Sequence, residues 1–207
     1  GILIEMARTF HIQEGEAGLA VSAFALMVAL GAVPLTIMTA HFDRKRLMLA
    51  SLTGYVVSNL VVAMAPTFAL LCAGRLIGGL AHALLMSIVS AYAARLVPPR
   101  MTGRAISFVY GGTSLGAILG VPGTAAVGHL ASWRVAMYIM TGLAIVLTLC
   151  IAFFLPPVSS AVHVKESLPS IVSRKVMRTF LVVVAVDAVF FFAHNLLYTY
   201  VTPLLLE

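Results

Sequence analysis

The sequence predicts an all-α protein that crosses a membrane several times, and composition is the first reason. Hydrophobic residues make up 61% of the 207 positions and charged residues only 10%, and the mean hydropathy is +1.07. A soluble domain of this length carries a more polar surface than this composition can supply. The outside of the fold must therefore face hydrocarbon.

The second reason is the spacing of the charges. Asp, Glu, Lys and Arg are absent from five long stretches: 17–42, 47–74, 76–94, 105–133 and 135–164. A helix needs about 20 apolar residues to cross the hydrocarbon core, whereas the strands of a membrane β-barrel alternate over about ten. Because irregular backbone cannot face lipid, crossings this closely spaced predict a helix bundle.

Six full crossings are predicted along the chain, separated by short turns. In order they lie near 17–40, 47–65, 69–94, 105–130, 134–155 and 177–202. Residues 1–4 resemble the end of an earlier crossing, and the chain begins with Gly1 rather than Met. We therefore expect a fragment of a longer membrane protein.

The basic residues predict the orientation of these crossings. Ten of the 13 Lys and Arg residues fall on one side: Arg44, Lys45, Arg46, Arg95, Arg100, Arg104, Lys165, Arg174, Lys175 and Arg178. By the positive-inside rule that side is cytoplasmic and the acidic segment 5–16 is outside. The lipid bilayer, with its anionic headgroups, is the expected partner of these cations. Since they are not interleaved with aromatic residues in one patch, nucleic-acid binding is not expected.

One segment has the composition of a linker. Residues 156–175 contain three prolines and several serines and charges, but no apolar run. We expect an N-terminal transmembrane bundle at 1–156, from the end of helix one to helix six, and a cytoplasmic linker at 157–175. Helix seven, at 176–207, then opens a C-terminal bundle.

A short internal repeat and a glycine series stand out inside the bundle. Gly31-Ala32-Val33-Pro34 and Gly120-Val121-Pro122 each precede an Arg-bearing turn and another crossing, and three crossings separate them, so the copies run in opposite directions. Inverted three-helix repeats are typical of secondary transporters. Gly112, Gly116 and Gly120 share one face of a helix, where a neighbouring backbone can approach closely, and Pro122 removes a backbone donor.

Polar side chains inside crossings are the candidate functional residues. Arg75 and Asp187 are costly in hydrocarbon, so each either lines a polar cavity or has a partner. Arg75 has the alternative of extending to the interface. Asp187 is a candidate proton carrier, with pairing to a residue of a missing helix as the alternative. His82 lies two helical turns from Arg75 and is a candidate for the same cavity, as are His194 and Asn195 on the last crossing. A packing role remains the alternative for the histidines.

The segment Gly112–Pro122, GTSLGAILGVP, resembles the antiporter motif in the fifth helix of major facilitator superfamily drug:proton exporters. Within these it is most similar to the sugar, arabinose and chloramphenicol-resistance efflux type. Arg75-Leu76-Ile77-Gly78 resembles the fourth-helix motif of the same family. Asp43, Arg44 and Arg46 lie where its cytoplasmic loop motif belongs, although Thr39 stands where that motif has glycine.

The resemblance implies a twelve-helix major facilitator bundle in the full protein. It implies that Arg75 takes part in proton coupling and that Gly112, Gly116, Gly120 and Pro122 act in gating. It also places a multi-pass protein in the bacterial inner membrane, with protons and a small molecule as its partners. We expect such a protein to be monomeric and to need neither cofactor nor metal.

Two other function classes are considered. Gly112-Thr113-Ser114-Leu115-Gly116 satisfies the G-x-S-x-G pattern, which makes an intramembrane serine protease using Ser114 one alternative. A channel is the other, although no segment resembles a selectivity filter. Since no H-E-x-x-H, P-loop or C-x-x-C motif occurs, other enzyme classes lack their residues. The sequence favours a secondary active transporter, not an enzyme: a proton-coupled exporter of a drug, sugar or nucleoside working by alternating access.

Overall fold

The computed structural model describes residues 2–156 and, in the later part of the chain, residues 178, 182, 185, 186, 189, 190 and 193. The chain divides into two compact units, Gly1–Ala161 and Val162–Glu207. The helices of the first unit are α1 (Ile2–Phe10), α2 (Glu14–Ala17), α3 (Leu19–Met38), α4 (Arg44–Met64), α5 (Phe68–Arg95), α6 (Thr102–Leu130) and α7 (Trp133–Phe154), with a 3₁₀ turn at Pro99–Met101 before α6.

Within the part of the chain that the structure describes, five helical segments are long and apolar enough to cross a membrane. They are Gly15–Met38, Arg44–Met64, Phe68–Arg95, Pro99–Leu130 and Trp133–Phe154. Each contains most of one predicted crossing, so the prediction of a polytopic helical protein is confirmed. The sixth predicted crossing, 177–202, falls on residues most of which the structure does not describe.

Helix α5 lies at the centre of the unit. It packs against α3 on one side and α4 on another, and it contacts α6 as well, while α7 packs against α4. Side chains on α3 and α4 can therefore reach the same surface of α5. Arg75 is on this central helix, and it lies farther from a segment end than any other Lys or Arg of the five crossings.

An apolar and aromatic cluster joins the helices at one end of the unit, which we call the far end. It consists of Met6, Ala20, Val62, Ala65, Leu71 and Trp133, with Phe10, Phe68, Cys72 and Met137 packed against it. Trp133 Nε1 donates a hydrogen bond of 2.9 Å to Thr9 Oγ1. The ends of α1 and α4 and the start of α7 therefore meet here, as alternating crossings require.

A second cluster joins the opposite end, which carries Arg44–Arg46 and is called the basic end. Leu47, Met48, Leu52, Ile88 and Tyr92 form its buried part. Tyr92 Oη donates to the Pro156 carbonyl at 2.5 Å, which ties the end of α5 to the end of α7.

Helices α4 and α7 are antiparallel. A cation in the first turn of each helix donates hydrogen bonds to backbone carbonyls at the end of the other. Asp43 accepts a hydrogen bond from Arg46 N at the start of α4, and Ser132 accepts one from Val135 N at the start of α7. Two positions after these N-caps stand Lys45 and Arg134. The Lys45 Nζ donates to the Ala152 carbonyl near the end of α7 at 2.8 Å.

Arg134 makes the matching contact at the far end. Its Nε donates to the Ala63 carbonyl at 3.1 Å and its Nη2 to the Ala65 carbonyl at 3.0 Å. The last carbonyls of a helix lack intrahelical donors, and a cation there also opposes the negative end of the helix dipole. The antiparallel pair is thus held at both ends, by residues at equivalent positions of the two predicted repeat copies.

Candidate functional site

The Arg75 side chain is held by helix α3. Its Nε donates to the Ala20 carbonyl at 3.4 Å, and its Cζ lies 4.4 Å from the centroid of the Phe24 ring. Arg75 is half-buried in the unit. Its contacts are thus with the backbone of one helix and the face of an aromatic ring.

Three glycines on α5 create the close packing that brings these groups together. A methyl group at Gly79 would lie 2.5 Å from the Phe24 carbonyl oxygen, and one at Gly78 would lie 2.5 Å from Ser58 Oγ. At Gly74 it would meet the Val62 side chain at 2.9 Å. No side chain larger than hydrogen fits these approaches, so the glycines fix the distance from α5 to both neighbours.

A serine strengthens the contact between α4 and α5. Ser58 is 1% exposed, and its Oγ donates to the Gly74 carbonyl at 2.7 Å. The bond satisfies a buried hydroxyl and lies one residue from Arg75. It therefore fixes the backbone that carries the arginine.

His82 is joined to the same site through two other side chains. It shares a hydrogen bond with the Tyr55 hydroxyl of α4, and its ring centroid lies 5.4 Å from that of Phe24. Sequence spacing predicts that His82 and Arg75 share a helix face. In the structure Phe24 contacts both, so the two α5 residues meet a common aromatic neighbour.

Two cavities border Arg75. The larger has a volume of about 660 Å³ and a mostly apolar wall from α4, α5 and α7, with Tyr55, Asn59 and Arg75 as its polar residues. The smaller, of about 150 Å³, is lined by α1, α3 and α5 residues and shares Arg75 and Met137 with the larger one. The larger one is an open groove, since Leu143, Val146 and Leu147 on its wall are exposed. Arg75 therefore borders this groove on one side and the smaller pocket on the other. A pocket with an apolar wall and a few polar groups suits a small organic molecule.

The antiporter-like face of α6 is open in the described part of the chain. Methyl groups built at Gly112, Gly116 and Gly120 would have no described residue within 4 Å. The close helix contact predicted for this face is thus not found among the described residues. Pro122 lies inside α6, which runs without interruption from Thr102 to Leu130.

Ser114 lies in the middle of the same helix. Its Oγ donates to the Tyr110 carbonyl at 3.1 Å, an ordinary hydrogen bond of a helical serine. A nucleophile elbow requires a sharp turn between a strand and a helix, and Ser114 occupies no such turn. The G-x-S-x-G match is therefore a consequence of glycine spacing in a helix.

The predicted loop-motif residues, Asp43, Arg44 and Arg46, lie at the start of α4. The Asp43 carboxylate accepts from Arg46 N at 3.0 Å and so caps the helix. Arg44 Nε is buried without a hydrogen-bond partner in the described part of the chain, whereas Arg46 is exposed. Three further predicted site residues, Asp187, His194 and Asn195, lie outside the described residues.

The chain matches the Major Facilitator Superfamily over residues 1–207. It belongs to that superfamily. The resemblance inferred from the glycine and arginine motifs is thereby confirmed, as is the class of a multi-pass membrane protein of a transporter superfamily.

Three relatives illustrate the match. A chloramphenicol efflux pump of Mycobacterium tuberculosis is 40% identical over 156 residues, covering 75% of this chain and 38% of the relative. A probable sugar efflux transporter of Helicobacter pylori is 28% identical over 208 residues, covering 100% of this chain and 52% of the relative. An uncharacterised transporter of the same superfamily from Bacillus subtilis is 34% identical, covering 70% and 37%. The chain thus spans about half of these proteins or less.

Sequence reasoning found Arg75 and His82 but missed the residues around them. Phe24 is one of 11 phenylalanines and carries no signal of its own. Tyr55 and Asn59 are spaced one helical turn apart in a charge-free crossing, which puts both on one face. A search of the crossings for uncharged polar residues at this spacing finds them, whereas a search for charges alone does not.

Proposed function

We propose that this chain is the N-terminal part of a proton-coupled exporter of small molecules in a bacterial inner membrane. The observation that carries the proposal is Arg75, a permanent cation on the central helix α5 that borders both an open groove and a smaller pocket. The efflux function named for two of its relatives supports the direction of transport.

Arg75 has the chemistry that coupling needs. A fixed positive charge in a medium of low dielectric constant favours the ionised form of a nearby acid and so influences when that acid binds a proton. Among residues 2–156, no carboxylate forms an ion pair with Arg75. We propose Asp187, or an acid on helix one, as the group that exchanges the proton.

The remaining predicted residues take roles in this scheme. Residues 1–156 form one bundle, 157–175 the cytoplasmic linker and 176–207 the helix that opens the second bundle, and transport proceeds by alternating access. The open face at Gly112, Gly116, Gly120 and Pro122 and the loop motif at Asp43, Arg44 and Arg46 act in gating. His82, His194 and Asn195 contribute to the cavity. The protein works as a monomer.

The substrate is a small molecule of the drug, sugar or nucleoside class. The cavity beside Arg75 has an apolar wall, which suits a molecule with an apolar body and a few polar groups. We assign its substrate contacts to Tyr55 and Asn59 and keep Arg75 for coupling. Chloramphenicol and simple sugars are the first compounds to test, since relatives are named for them. Counterflow in proteoliposomes, screened over the three classes, identifies the substrate without assuming how transport is driven.

The test of coupling uses the full-length transporter that contains this chain. Arg75→Ala should abolish export driven by an imposed pH gradient and leave counterflow in place, because counterflow needs binding and alternation but no proton. Arg75→Lys keeps the charge and loses the planar guanidinium, so it should be intermediate. Normal gradient-driven export by Arg75→Ala would refute proton coupling through Arg75.

A further inference from the structure

Phe24 occupies an unusual position between two polar residues of α5. The Arg75 guanidinium lies over its ring at 4.4 Å from the centroid, and the His82 ring lies 5.4 Å from it. Arg75 and His82 are seven residues apart, which places them on the same face two turns from each other. One α3 ring thus spans the distance between them.

The guanidinium has few other partners that would fix its direction. Its hydrogen bond to the Ala20 carbonyl is long, at 3.4 Å, and it forms no ion pair with a carboxylate of residues 2–156. The face of an aromatic ring carries negative charge density and attracts a cation most strongly where water is excluded. The Phe24 face is therefore the group best placed to hold the Arg75 plane.

The backbone at Phe24 makes this contact rigid. The absence of a side chain at Gly79 lets the Phe24 carbonyl approach α5 closely, at 2.5 Å from where a methyl group would lie. The ring and the arginine are thus fixed on two helices that cannot separate or slide without losing this fit. His82 is held in turn by the hydroxyl of Tyr55 on α4.

We propose that Phe24 is a positioning residue for proton coupling: its ring holds the Arg75 guanidinium toward the cavities and His82 against Tyr55. This inference rests on the proposed role of Arg75 in coupling. It predicts that the aromatic face matters and not merely the volume that Phe24 fills. An aliphatic side chain of similar size should pack between α3 and α5 yet leave the guanidinium free to turn.

The test compares Phe24→Leu, Phe24→Tyr and Phe24→Trp in the full-length transporter reconstituted in proteoliposomes. Gradient-driven export by Phe24→Leu should fall about tenfold, the size of effect expected when a desolvated cation–π contact is lost. Its counterflow and its thermal unfolding temperature should match those of the parent. The Tyr and Trp variants keep a ring and should export at close to the parental rate. Phe153→Leu, at a phenylalanine of α7 that is 80% exposed, is the matched control.

Each outcome decides between the alternatives. If Phe24→Leu exports at the parental rate under the pH gradient, the inference is overturned. It is also overturned if Phe24→Leu and Phe24→Tyr lose gradient-driven export to the same extent, because the effect would then come from the packing of the side chain and not from its aromatic face. The inference is overturned as well if Phe24→Leu loses both counterflow and thermal stability.

Failure of the proposed function gives a different pattern. In that case Arg75→Ala itself exports at the parental rate, or the parent does not respond to the pH gradient at all. A loss in Arg75→Ala without a loss in Phe24→Leu refutes only the role of Phe24.

Discussion

Replacing Arg134 by methionine should destabilise the far end of the transporter bundle. Methionine keeps an unbranched apolar side chain and removes the guanidinium that donates to the Ala63 and Ala65 carbonyls at 3.1 and 3.0 Å. These alanines are 1% and 0% exposed, so water cannot readily replace the lost donor. The guanidinium carbon also lies 4.6 Å from the Trp133 ring centroid.

The magnitude follows from these contacts. Each hydrogen bond to a half-buried cation is worth about 1 kcal/mol after discounting for partial solvation, and the ring contact about 0.5–1 kcal/mol. The free energy of unfolding should therefore fall by about 2–3 kcal/mol. In the full-length protein, which is longer than this chain, the melting temperature should fall by roughly 3–6 °C. Lys45→Met removes one hydrogen bond, to Ala152, and should have a smaller effect.

Thermal unfolding of the detergent-solubilised full-length protein can be followed with a fluorogenic thiol reagent. Cys72 packs against the far-end cluster and reports its opening, provided that the exposed Cys150 and any cysteine outside this chain are replaced by serine. Arg8→Met, at an exposed cation near the same end, is the control. A melting temperature equal to that of the parent in Arg134→Met, or an equally large fall in Arg8→Met, would refute the capping argument.

Three further outcomes are expected. Gly79→Ala should cost about 1–3 kcal/mol of stability because its methyl group would overlap the Phe24 carbonyl. Gly116→Ala should leave the melting temperature unchanged because no described residue outside its own helix lies within 4 Å of the added methyl group. Ser114→Ala should retain transport in the counterflow assay, while Gly116→Leu should lose transport and keep its thermal stability. Loss of transport in Ser114→Ala with normal transport in Gly116→Leu would favour a serine nucleophile. A cysteine at position 14 should react with an impermeant maleimide from outside the cell and one at position 160 should not, and equal labelling would contradict the predicted orientation.

The crossings are predictable because membrane solvation acts on every residue separately. A single charge in hydrocarbon costs enough to end a crossing, so charge-free stretches reveal the spans without knowledge of their neighbours. The structure places helix α4 at Arg44–Met64 where 47–65 is predicted, and α7 at Trp133–Phe154 where 134–155 is predicted. The N-caps Asp43 and Ser132 explain why the helices start slightly earlier than the apolar runs.

The contacts between crossings are not predictable in the same way. Glycines on α5 and α6 have similar spacings, and spacing indicates a face but not which segment meets it. Gly74, Gly78 and Gly79 make the close approaches within the described unit, although the series on α6 is the more regular in sequence. Choosing between the two faces requires the positions of the helices.

The same limit applies to the cations outside the site. The sequence identifies Arg134 and Lys45 only as orientation signals, because their acceptors lie 69 or more residues away in the chain. Backbone carbonyls have no sequence signature. The repeat nevertheless singles out the two cations, Lys45 and Arg134, since each occupies the second helical position after the N-cap in its copy.

The arrangement of these contacts bears on how coupling reaches the rest of the transporter. Helix α5 is fitted to α3 at Gly79 and to α4 at Gly78, and α4 is fixed to α7 at both of its ends. If Arg75 has the proposed coupling role, a proton or substrate event there is not relayed by sliding α5 between its neighbours, since packed contacts of this kind resist gradual deformation. We expect the four helices to move together, so that the charge state beside Arg75 biases the position of the whole bundle. Because the four helices are expected to move together, a local contact such as that of Phe24 with Arg75 is expected to affect transport while leaving the fold unchanged.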